Sequence, residues 1–351
     1  MGLCGAAVKD LAHIVAFLFV AGVASAQEDA NALPFVGTDI VSILTESGQE
    51  KLLGGSIQGI KGDRLTLRTN GRGQIMVIRM EEVLNLNFER SPAWLDGLTQ
   101  MDDGQLQEAL VSFNGALQEE RRDWAWCELQ AAAARAETKR GNRSKTVERV
   151  ERILERDPRS RHVNLLPLVW DSRLPHDERM IAAADELRSS TKTRRLVAAS
   201  ALLHIPEHRN TAISVLQRIR QNDKFTRIGQ MAETQLWRLH LLEKPGERVP
   251  LLSVWEDRVR ELPVEFRGGP QYIVARGYQQ QHNYDRASLA FLWMPLMSPQ
   301  DRNLAALSLS EAIDCLKKAG RLAEAEQMQS ELKDRFPDAS ATKTFFAEPD
   351  R

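Results

Sequence analysis

Gly320-Arg-Leu-Ala-Glu-Ala-Glu-Gln-Met-Gln-Ser-Glu-Leu-Lys-Asp-Arg-Phe-Pro337 closes the last helical pair of this 351-residue chain, with Ala325 five residues after Gly320 and Pro337 twelve beyond that. The same skeleton recurs upstream as Gly104, Ala109, Phe113 and Ala116, and again as Gly141 followed by Pro158. A spacing that returns every ~34 to 38 residues marks stacked helical hairpins, because each such unit can bury its apolar face only against its neighbours.

Working back to the N-terminus, Lys9 is followed by the apolar run Leu11–Val23 and then by Ala24-Ser25-Ala26. The pattern predicts a secretory signal peptide over residues 1–26 and a linker over 27–37. The apolar run is shorter than the ~20 residues that cross a bilayer, so no stable membrane span is expected after cleavage. An exported protein, periplasmic or extracellular, follows. Cys4 precedes the apolar run and is misplaced for lipidation; Cys127 and Cys315 lie far apart in an array and are expected to be buried free thiols. With 47 basic and 48 acidic residues the formal charge is −1, which supplies no global field for nucleic acid or an anionic membrane.

Residues 38–89 read differently. Asp39–Thr45, Leu53–Ile60, Arg64–Thr69, Gln74–Arg79 and Leu84–Phe88 mostly alternate apolar with polar, as strands with one buried face do. Ser47-Gly48, Lys61-Gly62-Asp63 and Asn70-Gly71 supply hairpin turns, and Met80-Glu-Glu-Val83 predicts one helical turn before the last strand. The segment resembles SH3-like or Sm-like small barrels, which implies a five-stranded antiparallel β-barrel. Some barrels of that kind bind RNA. In this one, acidic residues balance Arg64, Arg68, Arg72 and Arg79 and no aromatic is interleaved for base stacking, so no nucleic acid is expected as a partner.

Ser91-Pro92 opens the helical part with a capping hydroxyl and a proline at the first helical position. Leu106, Ala109, Leu110, Phe113, Ala116 and Leu117 then share one face, where small residues let two helices approach and Phe113 fills the gap. This pattern resembles the tetratricopeptide repeat family, whose unit of about 34 residues favours small residues at fixed places, an aromatic among them and a closing proline. A unit counted from Arg90 keeps Gly97, Gly104, Ala109, Phe113 and Ala116 but has Arg121 in place of the proline; one from Cys127 keeps Ala134, Gly141 and Pro158 but has Thr146. One from Gly268 keeps Ala275, Tyr278, Ala287, Phe291 and Pro299, and one from Ala306 keeps Gly320, Ala325 and Pro337. Between them, Arg194–Leu203 and Arg227–Trp237 look like offset copies of one amphipathic helix, with Ile213, Leu216 and Ile219 on a partner helix, closer to HEAT-type pairing. The expected fold is mostly α: a TPR/HEAT-like α-α solenoid preceded by the small barrel. Its parts are two TPR-like hairpins over 90–160, HEAT-like or irregular hairpins over 161–247, C-terminal TPR-like hairpins over 248–340, and a tail over 341–351.

His204-Ile-Pro-Glu207-His208 satisfies the spacing of a zinc protease motif, but Pro206 denies it the continuous helix that would put both imidazoles on one face. Trp170, Trp237, Trp255 and Trp293 could stack on sugars, yet each falls at an apolar helical position where core packing accounts for it. Neither a metal nor a cofactor is implied. The leading functional expectation is a non-catalytic, extracytoplasmic protein-binding scaffold. The family resemblance implies a concave surface on the first helix of each hairpin, which would present Arg135, Lys139, Tyr272, Arg276, Gln279, Gln280, Asp314 and Lys317 to a protein or peptide; Ala131 interrupts the carboxylate clamp of some members. Arg149, Arg152 and Arg156 form a basic stripe where an anionic partner would bind, although Glu148 can pair with Arg152 four residues on. The alternative is a structural spacer or docking component of an envelope assembly. A polysaccharide-acting enzyme ranks last, since it needs facing carboxylates about 5 to 10 Å apart and no spacing points to them.

Overall fold

The computed structural model describes residues 36–171, 183–243, 252–298 and 301–347. The expected signal peptide over 1–26, linker residues 27–35, Pro299 and tail residues 348–351 lie outside the described residues. The chain is mostly helical, with an antiparallel sheet ahead of the helices.

The alternating segments become β1 (Asp39–Leu44), β2 (Glu50–Lys61), β3 (Arg64–Thr69), β4 (Ile75–Arg79) and β5 (Val83–Asn87), with a 3-10 turn at Met80–Glu82 before β5. Gly62 and Gly71, at φ of 60° and 82°, turn the two hairpins that flank β3. Neighbours run antiparallel in the order β4-β3-β2-β1-β5, so β4 and β5 are edges. The sheet is therefore open, and the expected closed barrel is corrected. The reason lies in what covers it: Val41, Ile57, Leu65, Leu67 and Ile78 share one core with Phe88, Trp94, Phe113 and Trp124. Helices bury the apolar face, so the sheet need not close on itself.

The helices are α1 (Pro92–Asp102), α2 (Leu106–Glu119), α3 (Asp123–Lys139), α4 (Arg143–Arg156), α5 (Lys192–Leu202), α6 (Pro206–Asn222), α7 (Arg227–Glu243), α8 (Leu252–Glu261), α9 (Gly268–Gln280), α10 (Tyr284–Met297), α11 (Arg302–Lys318), α12 (Leu322–Arg335) and α13 (Ser340–Ala347). As its sequence predicts, Ser91 caps α1, its hydroxyl accepting from the Trp94 N–H at 3.3 Å. Consecutive helices pack together within α1–α4, α5–α7 and α8–α12. In addition α5 meets α7, α7 meets α9, α9 meets α11 and α11 meets α13, which makes a row of alternate helices. Successive cores follow the chain from α4–α7 through α7–α11 to α11–α13.

The recurring glycine has a common backbone cause. Gly104, Gly141 and Gly320 have φ of 78°, 74° and 77°, and each follows a helix. Each donates its N–H to the carbonyl three residues back, and the next residue donates to the carbonyl five residues back: Gly320 to Lys317 and Arg321 to Leu316, for example. This left-handed cap satisfies carbonyls that the helix end leaves open. His282 has the same two bonds, to Gln279 and from Asn283 to Tyr278, at φ of 57° without a glycine.

Two glycines separate backbone strain from crowding. A Cβ on Gly320 meets nothing within 4 Å, whereas one on Gly97 falls 2.5 Å from the fully buried Phe113 ring. Gly320→Ala is expected to lose about 1 kcal/mol from the left-handed backbone alone. Gly97→Ala is expected to lose about 1 to 3 kcal/mol by overpacking. In denaturant unfolding, Phe113→Leu should relieve the second loss and leave the first unchanged; relief of both, or of neither, would contradict this geometry.

Candidate functional site

The row of alternate helices carries most of the polar side chains singled out in the sequence. On α9 and α11, Arg276 Nη1 donates to Gln279 Oε1 at 2.6 Å and lies 3.2 Å from Glu311 Oε2, and Gln279 Nε2 donates to the same carboxylate oxygen at 2.8 Å. Gln280 Nε2 donates to the Leu241 carbonyl of α7 at 3.0 Å. Asp314 and Lys317 are half-buried further along α11, with Lys317 Nζ 5.4 Å from the Phe345 ring centre. Tyr272 does not join this surface. It is 1% exposed and donates its hydroxyl to Asp171 Oδ2 at 2.9 Å.

At the other end, α3 presents Arg135 and Lys139 to solvent. Near Arg135 sits Glu128, which accepts from Arg161 Nη2 at 2.8 Å and has His162 Nε2 at 3.0 Å. Burial opposes ionisation of Glu128, but His162 and Arg161 together outweigh it and hold the carboxyl below the usual range. The Arg135 guanidinium is also shifted downward, first by burial and then by Arg161, with Glu128 opposing. Arg90 also senses the Glu128 charge, so three arginines gather about one glutamate.

Between these ends the chain lies over its own helices. Val169 N–H donates to the buried Ser200 hydroxyl of α5 at 2.8 Å, and that hydroxyl is 2.9 Å from Gln235 Oε1 of α7. Arg238 Nη1 donates to the same Gln235 oxygen at 2.7 Å and to the Ser200 carbonyl at 2.8 Å. Burial pushes this arginine down to about 10, with Asp171 opposing. Trp170 presses on Gly269, where a Cβ would come within 1.9 Å of its ring. Residues 166–171 thus cross from the α4 end to α9, held also by Arg143 Nη2 on the Pro167 carbonyl at 2.6 Å.

The expected basic stripe divides. Arg149 is buried, its Nη1 donating to Gln130 of α3 and its Nη2 to Asn114 of α2 at 3.1 Å each, so it is no part of a solvent-facing patch. Arg152 pairs with Glu148 at 2.6 Å, and Arg156 pairs with Asp123 at 2.9 Å while covering Trp126 at 3.7 Å. The His204 motif is split by the turn before α6, which Pro206 opens. Trp237 and Trp255 stack on each other at 5.1 Å inside the α7–α11 core. Cys127 and Cys315 are free and buried, and burial pushes both thiols up to about 12.

No protein-family model and no curated protein matches this chain.

Sequence reasoning passed over Glu128, Arg161 and Glu311. Each is an ordinary charged residue whose partner lies about one repeat away, so no local spacing announces it.

Glu128→Gln should destabilise the protein by about 3 kcal/mol at neutral pH, because it leaves Arg161 without its counter-charge. A lowered folded pKa gives stability that is complete above the unfolded value near 4.3 and is lost as pH falls toward the folded one. The gap between the two proteins in urea midpoint should therefore narrow below about pH 4; a gap independent of pH would refute the ionised pair. Thiol titration should find Cys127 and Cys315 unreactive in the native protein at neutral pH and both reactive in denaturant.

Proposed function

We propose that this chain is an exported, non-catalytic scaffold: a tetratricopeptide-like helical array that binds a protein or peptide along α3 and its row of alternate helices. The repeated caps at Gly104, Gly141, His282 and Gly320 support the repeat reading, as does the contact of every second helix from α5 to α13. An SH3-like origin for the open sheet is consistent with its strand order and with the 3-10 turn before β5.

The observation that carries the binding proposal is Arg135. Its side chain is exposed and makes no hydrogen bond among the described residues, and Glu128 and Arg161 both act on its charge. A carboxylate brought by a partner would gain a charge-assisted, two-pronged bond there. At the far end, Arg276, Gln279 and Glu311 offer both donors and acceptors, suited to a polar side chain or an extended backbone. The ligand class is therefore an acidic segment of a protein or peptide.

The second reading is a spacer with a docking sheet, and the exposed Ile75 and Val77 of β4 favour it. Photo-crosslinkers placed at Lys139 of α3, at Gln280 of α9 on the row, and at Gln217 of α6, away from both, distinguish the two. Capture of one defined protein from Lys139 and Gln280, lost with Arg135→Glu, is the expected result. Equal capture from Gln217, or capture indifferent to Arg135→Glu, would remove the groove proposal.

A further inference from the structure

Arg238 of α7 is buried with one edge of its guanidinium unanswered. The side chain is 2% exposed, and its Nη1 group uses both hydrogens, on the Ser200 carbonyl at 2.8 Å and on Gln235 Oε1 at 2.7 Å. Its Nε and Nη2 groups are fully buried and meet no acceptor, and neither does Nε2 of the wholly enclosed Gln235. Nε and Nη2 share one edge of the planar fork, and such an edge takes an anion side-on. Because Gln235 and Arg238 are bonded to each other, all three orphaned donors lie within a few covalent bonds of one contact.

Buried donors without acceptors are costly, and native interiors satisfy them with protein, water or an ion. The neighbouring side chains do not supply the acceptor. Gln235 Oε1 already accepts from Ser200 Oγ and Arg238 Nη1, which occupies both of its lone pairs. Asp171 is the acidic group whose charge acts on Arg238, yet its Oδ2 takes the Tyr272 hydroxyl at 2.9 Å and neither of its oxygens bonds the open edge. A water would bring two hydrogens that need acceptors in turn and would leave the charge as it is. A monatomic anion brings acceptor capacity, a negative charge and no hydrogens.

We propose that Arg238 and Gln235 form an internal site for a halide ion, with chloride as its occupant, bound side-on by Arg238 Nε and Nη2 and with the Gln235 amide beside it. At 2% exposure or less, both side chains are shut off from the side chains of a partner, which separates this site from the one at Arg135. The ion is a structural counter-charge where α5, α7 and the segment 166–171 meet.

Urea unfolding of the full chain, with chloride replacing gluconate at constant ionic strength, tests the proposal. An ion that binds only the folded protein should raise the folding constant about tenfold for each tenfold rise in chloride above its dissociation constant. Gln235→Glu keeps the oxygen that Ser200 and Arg238 use and sets a negative charge against the guanidinium, so it should fold and reduce that response to about twofold or less. Arg238→Met should remove the response as well; if it fails to fold, Gln235→Glu decides. Crystals grown in bromide should show an anomalous scatterer at the Nε and Nη2 edge of Arg238. A wild-type protein indifferent to the choice of anion, a chloride response that survives Gln235→Glu, or a water in place of bromide at that edge would each overturn the proposal.

Discussion

Phe88 is the residue on which the two halves of this protein meet. It directly follows the last strand, is almost fully buried, and takes two indoles edge-on, Trp94 of α1 at 5.4 Å and Trp124 of α3 at 4.8 Å. Two arginines cover the same ring. Arg90 lies 4.0 Å from its centre and donates to the Leu86 carbonyl, and Arg122 lies 5.5 Å away and donates to the Glu89 carbonyl. Each edge-to-face pair is worth about 0.5 to 1.5 kcal/mol beyond the area it buries. Their larger effect is geometric, since T-shaped contacts fix ring directions and therefore fix how α1 and α3 leave the sheet. A second tie, from Gly62 N–H to Asp157 Oδ2 at 2.8 Å, joins the β2–β3 turn to the end of α4. With the sheet clamped at both places, its apolar face is sealed by helices and its edges are left open.

Much of this was legible in the sequence. Strand alternation and turn residues located all five strands and the 3-10 turn to within a few residues, because a half-buried strand must alternate and a tight hairpin must find positive φ. Closure was not legible. Whether a sheet closes depends on what else covers it, and the cover comes from Trp94, Phe113 and Trp124, distant in sequence and silent about their destination. The repeat glycines were readable for the same reason that they recur, a left-handed cap. His282 performs that turn without glycine, so composition hid the third cap while the backbone retains it.

The polar surface was readable in part. Arg276 and Gln279 could be assigned to one helix face by position, whereas Glu311, which binds them both, could be found only once α9 and α11 were adjacent. Arg149 shows the opposite failure: a run of arginines at helical spacing reads as solvated, yet one of them turns inward, where Gln130 of α3 and Asn114 of α2 accept its bonds. Tyr272 was misplaced by the same logic, its hydroxyl being taken by Asp171.

The segment 166–171 gives the row of helices its functional division. An unpaired buried polar group costs more than a paired one gains, so Ser200 and Gln235 need partners, and Val169 and Arg238 supply them from within the chain. The middle of the row is thereby occupied by the protein's own backbone, which leaves little for a ligand to displace. To either side, Arg135 of α3 makes no hydrogen bond among the described residues, and Arg276 and Gln279 are held in place with part of their surface open. On the proposed reading a partner would therefore bridge the row and contact its two ends, so that affinity would depend on the spacing between them. That spacing is set by rigid helix packing, and the specificity of such a scaffold would reside in distance as much as in charge.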